Sequence, residues 1–172
     1  MRSSLLLILC SATLFAESVG GLKWTPPAGW KSSGSTSMRA ATYPVPAAPG
    51  DHDSAECAVY FFGVGQGGSV QANIDRWEGQ FKIAGKAAPA KVTKITIHGL
   101  PVTTIDVSGE YSGMAGPTAT APVLVSGYRL LGAIIESPGG NVFIKFTGPA
   151  KTIAANQPKF QQLLDSFEKA GK

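Results

Sequence analysis

Residues 128–135 read Tyr-Arg-Leu-Leu-Gly-Ala-Ile-Ile, a run of strand length that is apolar on both sides. Leu131, Ala133 and Ile135 fall on one face, Leu130 and Ile134 on the other. A strand of this kind belongs in the middle of a sheet with layers packed on both faces. Two amphipathic segments can supply those layers. Val70, Ile74, Trp77 and Phe81 recur at i, i+4, i+7 and i+11, which predicts a helix capped by Ser69. Phe160, Leu163, Leu164 and Phe167 recur at i, i+3, i+4 and i+7, a second helix with Pro158 in its first turn, where a missing N–H costs least.

The remaining apolar runs alternate as strands do. Residues 38–44 and 56–62 form two, with Cys57, Val59 and Phe61 on one face. Residues 91–97 and 103–111 form a hairpin whose inward sets are Thr93, Ile95 and Ile97, and Thr103, Ile105 and Val107. Matching those faces predicts a Gly99-Leu100-Pro101 loop, with Ile95 opposite Ile105 and Lys94 opposite Asp106. Residues 141–147 add a strand after the Ser137-Pro138-Gly139-Gly140 turn. Trp24 and Trp30 flank a Pro-Pro-Ala-Gly turn, a short strand and an aromatic plug. Residues 112–126, rich in Gly, Pro, Ala and Thr, read as a mobile loop. Hairpin strands and two helices make a single α+β domain over residues 22–170, built on a mainly antiparallel sheet flanked by helices.

Residues 1–16 have the layout of a secretory signal peptide: Arg2, an apolar run from Leu5 to Cys10, then small residues at Ala12 and Ala16. Cleavage is expected between residues 16 and 20. Lipid anchoring at Cys10 is disfavoured because Leu9 stands where that signal needs a small side chain. No later run is long and apolar enough to span a bilayer, so the mature chain is expected to have no transmembrane segment and to be periplasmic or extracellular. Cys57 is then the remaining cysteine, and stability rests on packing rather than on an intramolecular disulfide. The formal charge of +4 is scattered along the chain, which gives no argument for nucleic acid.

Gly63-Val64-Gly65-Gln66-Gly67-Gly68 fits the dinucleotide-binding glycine pattern between a strand and a helix. Residues 82–91 offer no acid for a ribose, however, and the neighbouring strands are hairpins rather than βαβ units. The bare helix N-terminus still leaves Gln66, Gly67, Gly68, Ser69 and Arg76 as candidates for ligand or partner binding. Asp51, His52, Asp53 and Glu56 form a second cluster, open to a metal or to an exported enzyme, with a solvated loop as the plainer reading. Cys57 reads as a core thiol and His98 as a turn residue. With no Gly-x-Ser-x-Gly elbow and no evident serine partner for His52 or His98, no catalytic residue, metal site or cofactor is assigned.

The segments Trp24-Thr25-Pro26-Pro27-Ala28-Gly29-Trp30, Gly67-Gly68-Ser69-Val70, Gly148-Pro149 and Leu164-Asp165-Ser166-Phe167 resemble the PsbP superfamily. That superfamily includes photosystem extrinsic subunits, Ran-binding Mog proteins and bacterial envelope proteins. Gln66-Gly67-Gly68-Ser69-Val70 and Arg76-Trp77 are also similar to a set of exported bacterial proteins with no assigned activity. The resemblance implies an α/β/α sandwich and a non-catalytic accessory or binding role, with no residue-level mechanism. The expected partner is an envelope protein or a small ligand, met by the glycine loop and residues 112–126.

Overall fold

The computed structural model describes residues 16–113 and 124–171. A small sheet joins β1 (Glu17–Val19), β2 (Leu22–Trp24) and β11 (Glu168–Lys169) in the order β1-β2-β11. The large sheet contains β3 (Arg39–Val45), β4 (Ala55–Phe61), β5 (Phe81–Ile83), β6 (Lys86–Ala87), β7 (Lys91–Ile97), β8 (Leu100–Ser112), β9 (Leu124–Ile135) and β10 (Val142–Pro149). Its order is β3-β4-β10-β9-β8-β5-β6, with β7 also paired to β8, and every pairing is antiparallel. Helices α1 (Val70–Glu78) and α2 (Ala150–Asp165) complete the α+β architecture.

The pleat of β9 and β10 divides the core into two layers. Leu131, Ala133, Ile135, Val142, Ile144 and Phe146 pack with Ile153, Phe160, Leu163 and Leu164 of α2. Leu130, Ile134 and Phe143 pack with Ile74 and Trp77 of α1 and with Phe81. The central, doubly covered β9 is the expected one, and it begins earlier than its apolar run. Tyr111 pairs with Val125 and Ser112 with Leu124, so the ends of the expected 112–126 loop are strand. Its middle, 114–123, lies outside the described residues.

The β7–β8 hairpin differs from the expected register. Ile95 pairs with Val102 and Lys91 with Asp106, across a two-residue turn at His98 and Gly99. Both turn residues have positive φ, 47° and 76°, the combination of a type I′ turn, whose twist suits the flanking strands. The register differs because β8 is apolar on both faces, so no single inward set fixes it. Leu100 and Val102 belong to the α2 layer, Ile105 and Val107 to the α1 layer.

Both helix boundaries also move. Helix α1 ends at Glu78, and Phe81 is a fully buried residue of β5. Helix α2 starts at Ala150, so Pro158 lies inside it rather than in its first turn. Pro149 offers that helix no side-chain cap. A carboxylate from a distant loop fills the role: Asp51 Oδ2 accepts from the Thr152 backbone N–H at 2.8 Å and from its hydroxyl at 2.6 Å.

The tryptophans form the expected plug. Trp24 stacks on Phe167 just past the end of α2, with ring centroids 5.0 Å apart. Its Nε1 donates to the Tyr43 hydroxyl (2.8 Å), which donates to Glu17 of β1 (2.7 Å).

Candidate functional site

Lys145 sits in the middle of β10, flanked by Ala58 on β4 and Gly132 on β9. Alternation along the strand sends its side chain to the same face as Phe143, the α1 side. Helix α1 has only nine residues and covers part of that face. Trp77 fills the place above Gly132, where an added Cβ would lie 2.6 Å from its ring. The neighbouring area is walled instead by partly exposed rings. Tyr60 stacks with Phe62 at 6.1 Å on the β4 side, and Tyr111 with Tyr128 at 5.6 Å on the β8–β9 side.

The Lys145 ammonium donates to Gln80 Oε1 (2.6 Å) and the Tyr111 hydroxyl (3.3 Å), and stands 5.4 Å from the Tyr111 ring centroid. No carboxylate pairs with it among the described residues. Glu56, whose charge also reaches Lys145, is held by Arg39 at 2.8 Å. Burial, reinforced by the positive charges of Arg76 and Arg39, lowers the Lys145 pKa to about 8. It therefore stays largely cationic near neutral pH. Burial likewise pushes the Tyr60, Tyr111 and Tyr128 hydroxyls up, so all three remain neutral donors there. Thr147, two residues along the same face, has a buried hydroxyl oxygen with no hydrogen-bond partner among the described residues.

The glycine-loop candidates divide between two places. Gln66, Gly68 and Ser69 line an open depression of ≈ 440 Å³ with Ser137, Pro138, Gly140 and Asn141. Arg76 is not among its lining residues, and its charge acts on Lys145 instead. Asn73, buried inside α1, links the two. Its amide nitrogen donates to the carbonyls of Gly67 (2.8 Å) and Ser69 (2.9 Å), while its oxygen accepts from Arg76. Ser69 is the cap expected, its hydroxyl accepting from Ala72 N–H at 3.1 Å. Gly67 answers to packing, since a Cβ there would lie 2.7 Å from Phe143 and 2.8 Å from Phe62.

The acidic loop does not converge. Asp51 caps α2, Asp53 accepts from the Tyr128 hydroxyl (3.2 Å), Glu56 pairs with Arg39, and His52 is exposed. Among the described residues no three His, Cys, Asp or Glu side chains are grouped so that they could hold a metal ion. His98 Nδ1 is engaged with the Phe167 carbonyl at 2.9 Å. Cys57 is fully buried, and burial holds its thiol well above the usual range, the setting of an unreactive core cysteine. No described helix is long and apolar enough to cross a membrane.

Sequence reasoning missed Lys145. Its one signal was a lysine amid the apolar alternation of residues 142–146, which by itself reads as a strand's solvent face.

No protein-family model matches the chain, and no curated protein matches it. Solved structures do. A crystal structure of PA94, a protein of unknown function from Pseudomonas aeruginosa, is similar over 94% of this chain and 100% of its own, at 14% identity and TM-score 0.51. The solution structure of cyanobacterial PsbP (CyanoP) from Synechocystis sp. PCC 6803 is similar over 96% of this chain and 98% of its own, at 11% identity and TM-score 0.54. At these identities the likeness speaks of fold alone: the chain has a PsbP-like α+β fold.

Proposed function

We propose that this chain is an exported, non-catalytic accessory or binding protein of the cell envelope that contacts another protein or a small ligand. One observation carries the reading: a desolvated lysine, with no carboxylate partner among the described residues, stands on a sheet face between two stacked aromatic pairs. Burying a cation without a counter-charge costs folding energy. Such a cost is more readily retained at a site that binds something than at one that only packs. Arg76 extends the surface towards α1, and beyond Asn73 the depression at Gln66, Gly68 and Ser69 forms its second part. The leader-like residues 1–16 are the basis for export.

The test is capture by tagged mature protein from envelope and medium fractions of its own host, with mass spectrometry of proteins and small molecules. Wild type is compared with K145Q and Q66A. A partner or ligand retained by wild type and lost from either variant supports the reading. The same retained set for all three, or nothing retained by any, contradicts it.

A further inference from the structure

We propose that the Lys145 face docks an acidic side chain, Asp or Glu, presented by a partner protein. This rests on the binding reading above and assigns the chemistry of the contact. Charge complementarity is the first ground. Lys145 and Arg76 have no ion-pair partner among the described residues, and Arg76 spends its hydrogen bond on the neutral Asn73 amide. Glu56, the acid whose charge reaches Lys145, is already taken by Arg39. An incoming carboxylate would supply the missing charge and receive short, charge-assisted hydrogen bonds.

The second ground is the shape and composition of the surroundings. Lys145 is a partly exposed residue of β10, between β4 and β9. Partly exposed tyrosines stand on both sides. A broad patch of tyrosine and arginine around a half-buried charge matches the anchors of protein interfaces, where the rings exclude water from the central pair. A small carboxylate would gain the same ion pair but leave the two aromatic walls uncovered.

The experiment uses the mature chain at low ionic strength with four probes: poly-L-glutamate, free glutamate, benzoate and inorganic phosphate. Acetylation of Lys145 is followed by mass spectrometry, and affinity is measured for wild type, K145Q, R76Q and the remote control K91Q, with circular dichroism checking each fold. The expected result is that poly-L-glutamate slows Lys145 acetylation. K145Q and R76Q then weaken its binding about tenfold, the scale of a lost charge contact, while K91Q does not. Three results overturn the proposal: no protection of Lys145, equal weakening in K91Q, or protection by benzoate or phosphate without protection by poly-L-glutamate. If it is overturned while K145Q still loses its host partner, the wider binding reading stands with a different ligand chemistry.

Discussion

Thr152, in the first turn of α2, donates its backbone N–H and its hydroxyl to one carboxylate oxygen of Asp51, at 2.8 and 2.6 Å. The same hydroxyl accepts from Ala48 N–H at 2.9 Å, so the 48–51 loop and the helix start are tied together. Replacing Asp51 with Ala leaves a buried helix end without its acceptor. Chemical denaturation should show a loss of about 1–2 kcal/mol, while H52A, at an exposed neighbour, should change stability by less than about 0.5 kcal/mol.

Gly67 and Gly65 separate packing from backbone strain. Both have positive φ, 87° and 69°, but an added Cβ meets Phe143 and Phe62 at Gly67 and nothing within 4 Å at Gly65. G65A should therefore cost about 1 kcal/mol from conformation alone. G67A should cost roughly 2–4 kcal/mol, because aromatic rings must also move. Equal losses in thermal unfolding would show that Gly67 does not rest on those rings.

The two-residue turn at His98 and Gly99 makes its own prediction. G99V puts a β-branched residue at φ 76° and should lower stability by about 1–2 kcal/mol. H98N creates the Asn-Gly pair that type I′ turns prefer, at the loss of the contact with the Phe167 carbonyl. Its net change should stay within about 1 kcal/mol by denaturant titration.

Lys145 gives stability a pH dependence of known sign. Its folded pKa is about 8 against an ordinary 10.5. Below pH 8 both states hold the proton, and the folded chain bears the full cost of the buried charge. Between these values the unfolded chain binds more protons, so stability rises with pH. Wild type should gain about 2 kcal/mol between roughly pH 7.5 and 9.5, and K145Q should lack that gain. Nearer pH 10 and above, the raised pKa values of Tyr60, Tyr111 and Tyr128 act in the opposite direction, because the unfolded chain ionises them first. Denaturation series at stepped pH, taken as the difference between the two proteins, check this.

The fold was legible where one rule dominated. Leu130 to Ile135 marked the central strand because both faces are apolar, and Ser69 marked the start of α1 because a cap acts locally. Legibility ended where distant parts decide. The Asp51 cap crosses about a hundred residues of chain, and hairpin register depended on β8 being buried on both sides. Gln66 to Ser69 stood out by their glycines, yet Gly67 is fixed by the Phe143 ring. Lys145 stayed hidden because its environment is assembled from β4, β8, β9 and the residues after α1.

The most direct measurement is the titration of the Lys145 ammonium itself, by nitrogen-detected NMR or by the pH dependence of its acetylation. A midpoint near pH 8 is predicted for a cation desolvated among tyrosines and pressed by Arg76 and Arg39. A midpoint near the ordinary 10.5 would mean that Lys145 is solvated or already neutralised, and would contradict its proposed role as the uncompensated charge at the centre of a binding face.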